Sequence, residues 1–341
     1  MRRARGTFVT VAALLFALLA AAGTIAVLLR FAARLPQSTP GERTLHDGVV
    51  PRTGGAALWV GFVPVAVWLP PPFPGGLAGW LPPFAAVVAV SAIDDRRGLR
   101  PPLRLAVHLA AAAWCAWWLV QGDDRSGEAT VASVALGAVL ALAIAWSANL
   151  YNFMDGSDGL AATMALVGFV AYGVAAGAAS QGVAFLALAA ATLPFLAVNR
   201  PRARMFMGDV GAVPLGFLAA SFGIAGVLRD LWPAWFPVLV FLPFIADASV
   251  TLARRALRGD RLAAAHREHY YQRLLQMGAG HGGTLGVYAA AMVATSAAAL
   301  ACLAAAPLWG VGTLAVACVV CFTLFGAIDY HWRKRAFPTP R

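Results

Sequence analysis

The chain has 341 residues, of which 60% are hydrophobic and only 12% are charged, and its mean hydropathy is +0.73. Soluble proteins carry about 25% charged residues, so this composition excludes a soluble enzyme, a disordered chain and a disulfide scaffold. The formal net charge of +11 would suggest a nucleic-acid partner in a soluble domain, but here the arginines lie in short loops between apolar runs, where they indicate membrane orientation and no nucleic acid.

We therefore predict an all-α polytopic membrane protein, because in lipid the backbone must satisfy its own hydrogen bonds. About eleven apolar windows are candidate spans, the one at 78–93 being short. They lie near residues 7–29, 56–72, 78–93, 105–120, 130–148, 160–178, 183–198, 212–228, 235–253, 284–305 and 308–328. The first window resembles a signal peptide but is long enough to span, so we expect an uncleaved helix. Residues 1–341 then form a single membrane domain.

Eleven spans place the two ends of the chain on opposite sides of the membrane. One set of loops then holds 21 of the 26 basic residues, and the positive-inside rule makes it cytoplasmic. These loops are about 30–55, 94–104, 149–159, 199–211 and 254–283, with the tail from 329. Most of the acids and histidines outside the windows share this side. We therefore predict a multi-pass protein of the inner (plasma) membrane with an active site facing the cytoplasm.

The first polar cluster, residues 93–99, contains the adjacent carboxylates Asp94 and Asp95. Adjacent carboxylates at a helix end can bind a divalent cation or take a proton, and the arginines beside them can hold phosphate oxygens. The alternative is a charged loop that caps a helix.

The second cluster, residues 149–160, interrupts a long apolar stretch with Asn152, Asp155 and Asp158. Asn and Asp supply oxygen ligands and hydrogen bonds to a nucleobase, whereas uncompensated carboxylates near a bilayer are costly. We favour a functional site over an Asx-rich turn.

The third cluster, residues 199–211, ends in an acid between two glycines just before an apolar window. There the helix dipole of the following span favours a bound phosphate, and Phe206 offers a face on which a base can stack. Another turn is the alternative.

The fourth cluster, residues 266–274, places His266 and His269 at i and i+3, on one face of a predicted helix. This spacing is not that of a zinc protease. With Arg267 and Arg273 nearby, the pattern favours phosphate binding, and an interfacial amphipathic helix is the alternative. His108 and His281 have no evident partner in the sequence.

In this order, the four clusters resemble the polyprenyl-phosphate N-acetylhexosamine-1-phosphate transferase superfamily. The resemblance covers roughly two-thirds of the chain, from residue 51 to about 278, and is most specific at 149–160 and 206–209. The fourth cluster is closer to members that initiate O-antigen or capsule synthesis than to phospho-N-acetylmuramoyl-pentapeptide translocase. The resemblance leaves GlcNAc, GalNAc, QuiNAc and FucNAc derivatives open.

The resemblance implies transfer of N-acetylhexosamine-1-phosphate from a UDP-sugar to undecaprenyl phosphate, with release of UMP. It implies Mg2+, with Mn2+ as a substitute, held by Asn152 and Asp209. The catalytic carboxylates would be Asp94, Asp95, Asp155 and Asp158. The substrate-binding residues would be Arg52, Asn199, Phe206, His266, Arg267, His269 and Arg273. A homodimer is left open.

The chemistry of this reaction agrees with the residue types. Two anions must meet, which calls for a divalent cation and arginines, with little covalent chemistry from the protein. A secondary transporter is the rival class, because acids at broken helices also line ion pathways. The acids of this chain crowd at one face and no inverted repeat is evident, which favours the transferase.

Overall fold

The computed structural model describes residues 2–38, 49–122, 130–177, 181–261, 266–305 and 307–335. In these ranges the helices are, in chain order, α1 Arg2–Arg30, α2 Ala56–Trp68, α3 Leu77–Arg97, α4 Pro101–Gln121, α5 Val131–Met154, α6 Leu160–Ala175, α7 Val183–Asn199, α8 Asp209–Leu228, α9 Trp235–Val240, α10 Leu242–Leu257, α11 Tyr270–Leu274, α12 Gly280–Leu303 and α13 Pro307–Lys334. Two short antiparallel strands, β1 Gln37–Ser38 and β2 Val50–Pro51, form the sheet of the described chain. The predicted all-α class is confirmed.

Among the described residues, every predicted apolar window lies largely within helix. In the described ranges, seven helical stretches are long and apolar enough to cross a membrane: Gly6–Arg30, Leu77–Arg97, Pro101–Gln121, Val131–Met154, Asp209–Leu228, Tyr270–Leu303 and Leu308–Lys334. Shorter apolar helices are Ala56–Trp68, Leu160–Ala175 and Val183–Asn199. The chain is a polytopic membrane protein, while the number of eleven spans and the homodimer stay predictions.

The window at 235–253 is divided between two helices, α9 and α10, which meet at Phe241. Proline at position 243 lacks the N–H that would donate to the carbonyl of Leu239, so the helical hydrogen bonding is interrupted there. Similarly, α2 ends at Trp68, just before the proline-rich residues 70–76.

Helix α8 lies at the centre of the bundle, where it packs against α3 and α5, and 83% of its apolar window is buried. Its approach to α5 depends on Gly216, since a Cβ there would lie 2.2 Å from the carbonyl oxygen of Ser147. The Ser147 hydroxyl donates to the Gly216 carbonyl at 2.8 Å. Because the helices run antiparallel through this contact, the last turn of α5 lies beside the first turn of α8.

Two of the predicted cytoplasmic loops are described only in part. Residues 39–48 of the loop 30–55 and residues 262–265 of the loop 254–283 lie outside the described residues.

Candidate active site

The predicted carboxylates meet where three helices end. Asp94 lies in the last turn of α3, Asp155 directly follows α5, and Asp209 begins α8. The packing of α8 against α3 and α5 brings these three points together at one end of the bundle. The first three polar clusters of the sequence therefore form one site.

Arg104, in the first turns of α4, lies between two of these carboxylates. Its guanidinium pairs with Asp94, and the Nη1 atom lies 3.1 Å from Oδ2 of Asp209. Asp94 also accepts the backbone N–H of Leu99 at 2.6 Å. One arginine thus faces two carboxylates, so their negative charge is only partly offset.

Asp95 caps the first turn of α8 from the neighbouring helix. Its Oδ1 and Oδ2 accept the backbone N–H groups of Asp209 and Val210, at 3.1 and 3.0 Å. Such N–H groups have no partner within their own helix, and the residue before them, Gly208, has no side chain to supply one. Gly208 has φ 72°, and a Cβ there would lie 2.4 Å from the carbonyl oxygen of Arg52. Asp95 therefore fixes the position of Asp209.

Arg52 approaches the same carboxylate from the other side. Its guanidinium donates to the backbone carbonyl of Asp95 at 2.7 Å, and its Nε lies 3.8 Å from Oδ1 of Asp95. The backbone of this segment pairs with the third cluster, because the Phe206 N–H donates to the Pro51 carbonyl at 2.8 Å. Arg52 thus lies at the edge of the site and contacts the chain itself.

Asp155 has three other carboxylates near it. Burial raises the pKa of Asp155 well above its usual value, and the nearby carboxylates of Asp209, Asp95 and Asp158 raise it further. The half-buried Asn152 lies on the last turn of α5, just before it. This part of the site therefore combines an excess of negative charge with a neutral oxygen ligand, the side chain of Asn152.

This donor set fits a divalent cation that takes part of its coordination from a substrate. Within the described ranges, no three His, Cys, Asp or Glu side chains are grouped as a metal site formed by protein alone. Mg2+ is commonly bound by one or two carboxylates, water and substrate phosphates. The raised pKa of Asp155 indicates that the negative charge of this cluster is not balanced by positive charge. The assignment of Asn152 and Asp209 as ligands stays a prediction.

Asp158 organises the loop that precedes α8. Its Oδ2 accepts the backbone N–H groups of Arg202 and Ala203, at 3.0 and 3.1 Å, and Arg202 has a positive φ of 67°. The interpretation of His281 as a residue without a partner was wrong. Its Nδ1 accepts the Asp158 N–H at 3.2 Å and lies 3.2 Å from the hydroxyl of Ser157. Local sequence patterns cannot predict a contact between residues that are 124 positions apart.

Asn199 connects the second cluster to the third. Its side-chain oxygen accepts the Gly159 N–H at 3.0 Å, and its amide donates to the Met205 carbonyl at 2.9 Å. Phe206 follows, with its backbone held on both sides and its ring half-buried. Asn199 and Asp158 thus shape the loop, while the predicted stacking face of Phe206 remains partly accessible.

The fourth cluster is not helical where the histidines lie, contrary to the prediction. Helix α11 begins at Tyr270, and His266 and His269 precede it. The reason is Asp247, a buried carboxylate on α10 that accepts the first N–H groups of α11 and fixes its start. The two imidazole rings nevertheless lie close, with centroids 5.0 Å apart, and His269 stacks on Phe153 at 5.9 Å. The histidines therefore adjoin the second cluster.

His266 is a neutral ring. Burial, followed by the nearby His269 and Arg255, lowers the pKa of His266 to about 4. At neutral pH it can hydrogen-bond a sugar or phosphate, but it supplies no positive charge.

The two arginines of this cluster differ in their surroundings. The guanidinium of Arg273 pairs with Asp329 of α13, donates to the Glu268 carbonyl at 3.0 Å and lies 5.2 Å from the ring centroid of Tyr270. It therefore ties α11 to α13. Arg267 is half-buried in the segment before α11, and its carbonyl accepts a hydrogen bond from Gln276 at 2.9 Å.

Two residues of α4 were missed by the sequence interpretation. Besides Arg104, the buried His108 lies on this helix, within electrostatic reach of Arg104 and Asp94. Arg104 and His108 are spaced i and i+4 and therefore share a helix face. Polar residues at that spacing in an apolar span are the signal that could have found them.

The chain is similar to known proteins over the part that carries most of this site. Residues 77–227 match the model of glycosyl transferase family 4. That range includes all five of the carboxylates, Asn152, Asn199 and Phe206, but excludes Arg52 and the histidine segment.

Curated relatives match a longer stretch. The decaprenyl-phosphate N-acetylglucosaminephosphotransferase of Mycobacterium tuberculosis is 30% identical over 285 residues, which cover 71% of this chain and 69% of the relative. A probable undecaprenyl-phosphate N-acetylglucosaminyl 1-phosphate transferase of Bacillus subtilis is 26% identical over 71% of this chain and 70% of its own. The undecaprenyl-phosphate alpha-N-acetylglucosaminyl 1-phosphate transferase of Escherichia coli K12 is 24% identical, with coverages of 70% and 69%.

Proposed function

Because this chain belongs to glycosyl transferase family 4, we propose that it transfers an N-acetylhexosamine-1-phosphate from a UDP-sugar to undecaprenyl phosphate. The products are an undecaprenyl-diphosphate-sugar and UMP. The observation that carries the proposal is the convergence of Asp94, Asp155 and Asp209 at three helix ends, where Arg104 pairs with Asp94 and Asp209. The names of the relatives support the same reaction.

The proposed reaction exchanges one phosphoanhydride bond for another. An oxygen of the lipid phosphate attacks the phosphorus that carries the sugar, and the bond from that phosphorus to the bridging oxygen breaks, so that oxygen leaves with UMP. No protein nucleophile is needed, and the main task of the protein is to bring two anions together.

Asn152 and Asp209 would hold Mg2+, which when bound screens the repulsion between the phosphate groups. Arg104 contributes a fixed positive charge beside Asp94 and Asp209. Asp94 is already engaged by Arg104 and by the Leu99 N–H. This favours a role in orienting the phosphates through Arg104 over a role as proton acceptor.

Phe206 would stack on the uracil, since its ring is partly accessible and its backbone is held by residues 51 and 54. The neutral His266 and the stacked His269 lie on the side of the second cluster where the diphosphate or the sugar would extend. For the sugar, UDP-GlcNAc is the first donor to test, and GalNAc, QuiNAc and FucNAc donors follow. Initiation of O-antigen or another surface polysaccharide is the pathway that we propose.

The experiment that tests the reaction is a measurement of UMP release from purified protein in detergent, with undecaprenyl phosphate, Mg2+ and a panel of UDP-N-acetylhexosamines. We expect UMP only when lipid phosphate and divalent cation are both present, with Mn2+ a partial substitute for Mg2+. Arg104→Gln is expected to lower turnover by about 100-fold or more, as loss of a charge at a phosphoryl-transfer site does. The conservative Arg229→Gln, at the far end of α8, is the control.

The rival function, secondary transport, predicts a different outcome. A transferase needs no sealed compartment, whereas transport is defined only across one. Absence of UMP release in detergent, together with solute accumulation by reconstituted vesicles, would replace the transferase by a carrier.

A further inference from the structure

A fully buried carboxylate lies outside the cluster of helix ends. Asp247, on α10, is 0% exposed. Its Oδ1 accepts the Tyr270 N–H at 2.9 Å and the Thr251 hydroxyl at 3.2 Å, and its Oδ2 accepts the Tyr271 N–H at 3.0 Å and the hydroxyl of Tyr288. A buried charge is retained only when it is hydrogen-bonded in this way.

The same carboxylate faces one nitrogen of His269. The Nδ1 atom lies 3.3 Å from Oδ1 of Asp247. Each oxygen of Asp247 accepts a backbone N–H and a hydroxyl group, and these four donors stabilise the ionised carboxylate, which has no proton to donate. The proton of this hydrogen bond therefore belongs to Nδ1 of His269, and the hydrogen bond fixes which ring nitrogen is left over.

The remaining nitrogen of His269 has no partner in the part of the chain that the structure describes. The ring is 2% exposed, and among the described residues its Nε2 makes no hydrogen bond. The ring stacks on Phe153, with centroids 5.9 Å apart at 27°, and on Tyr271, with centroids 5.8 Å apart at 22°. Tyr271 in turn donates its hydroxyl to the Phe153 carbonyl at 2.9 Å. A buried nitrogen without a partner is costly, so its retention suggests a ligand.

We propose that Asp247 is a positioning residue, which holds His269 by Nδ1 so that Nε2 is presented to the diphosphate of the donor. Nε2 lies on the ring edge away from Asp247, and the ring stacks on the residue that follows Asn152. The ligand identity rests on the proposed function, whereas the Asp247–His269 contact does not. Asp247 acts through His269 and touches no reacting atom.

A double-mutant cycle on UMP release tests the coupling. Asp247→Asn keeps the size of the side chain but removes its charge, and we expect kcat to fall about 10- to 100-fold, the range for a hydrogen bond to a charged group. In a His269→Gln background the same substitution should cost less than about twofold, because the residue through which it acts is gone. An equal loss in both backgrounds would overturn the proposal, since it would mean a structural role alone.

Tyr288→Phe is the matched control. It removes one hydrogen bond to the same carboxylate without touching His269. We expect lower thermal stability with kcat nearly unchanged. If kcat fell as much as it does in Asp247→Asn, loss of any hydrogen bond to Asp247 would lower turnover. That result would contradict the proposal that Asp247 acts on turnover through its hydrogen bond to His269.

A spectroscopic measurement separates this inference from the proposed reaction. In protein labelled with 15N-histidine, the His269 signals are those absent from His269→Gln. We expect them to show a proton on Nδ1 in the wild type. A ring with its proton on Nε2 alone would overturn the inference, whether or not Asp247→Asn folds. Wild-type protein that has the Nδ1 proton but releases no UMP would contradict the proposed function and leave the Asp247–His269 contact established.

Discussion

Asp155 lies half-buried beside the carboxylates of Asp209, Asp95 and Asp158, and burial and these charges raise its pKa. A carboxyl group with a raised pKa destabilises the folded state increasingly as the pH rises through that pKa. Asp155→Asn, which removes this charge, should therefore raise the melting temperature in EDTA, with the larger gain at higher pH. Because the charge is what attracts Mg2+, we also expect a loss of UMP release of about 100-fold.

Melting curves followed by tryptophan fluorescence, with EDTA or with Mg2+, measure both effects. The exposed Asp230→Asn is the control and should change neither. Suppose that Asp155→Asn melted below the wild type in EDTA and kept the full Mg2+-dependent rise in melting temperature. The Asp155 carboxylate would then stabilise the fold and would not take part in binding the cation.

The neutral His266 leads to a second expectation at this scale. Burial, His269 and Arg255 lower the pKa of His266 to about 4, whereas an ordinary histidine has a value near 6.5. Between these two pH values the unfolded chain binds a proton that the folded chain does not, so stability is lost as the pH falls from 6.5 to 4. His266→Gln should reduce this acid-side loss.

The measurement is the melting temperature of wild type and variant at several pH values from 7.5 to 4. We expect the curves to converge or cross as the pH falls, because the variant lacks the titrating group. Parallel curves over that range would contradict the assignment of His266 as a buried neutral ring. His331→Gln, near the end of α13, is the control.

The types of residue in the site were predictable from the sequence, but their partners were not. Asp94, Asp155 and Asp209 stand out because acids are costly next to apolar spans. The pairing of Asp94 and Asp209 with Arg104 depends on how α4 packs beside α3 and α8, which the sequence pattern does not contain. His281 was interpreted as having no partner for the same reason, since its contact with Asp158 joins residues 123 positions apart.

At the scale of elements, two helices of the site are capped by aspartates from other helices. Asp95 on α3 caps α8, and Asp247 on α10 caps α11. A local cap was predictable where the motif is contiguous, as at Thr130 directly before α5 and Ser133 in its first turn. A cap supplied from another helix leaves no local signal, which is why the start of α11 was placed too early and the histidines were expected on a helix.

Removal of the α8 cap should affect folding as well as turnover. Asp95→Ala leaves the N–H groups of Asp209 and Val210 without acceptors, which should cost about 1–2 kcal/mol, the upper range for helix caps. Gly208→Asp should not replace the lost cap, because φ is 72° and the backbone carbonyl of Arg52 would lie 2.4 Å from the added Cβ.

Chemical or thermal unfolding in mild detergent measures this cost without substrate present. Asp260→Ala provides the comparison, since Asp260 pairs with Arg258 at the surface, where ion pairs contribute little. If Asp95→Ala were as stable as Asp260→Ala, the role of Asp95 would be confined to the reaction.

At the scale of the whole molecule, the site and the positive charge occupy the same end of the bundle. The arginines at positions 96, 97, 100, 200, 202 and 204 flank the ends of α3, α7 and α8 that carry the candidate site. This asymmetry was predictable because the charge and hydropathy of each segment follow directly from its sequence. Side-chain contacts depend in addition on how the helices pack. By the positive-inside rule, this end should face the cytoplasm, where UDP-sugars are made.

Cysteine labelling tests that orientation directly. Arg97, at the end of α3, and Arg229, directly after α8, are both exposed and lie at opposite ends of the bundle, since α8 begins beside Asp95 and its 20 residues extend about 30 Å. In a background without the four native cysteines, Arg97→Cys should react with a membrane-impermeant maleimide only in inverted vesicles. Arg229→Cys should react only in right-side-out cells. The reverse pattern would move the site to the outer face, and labelling of both from one side would mean that α8 does not cross the membrane.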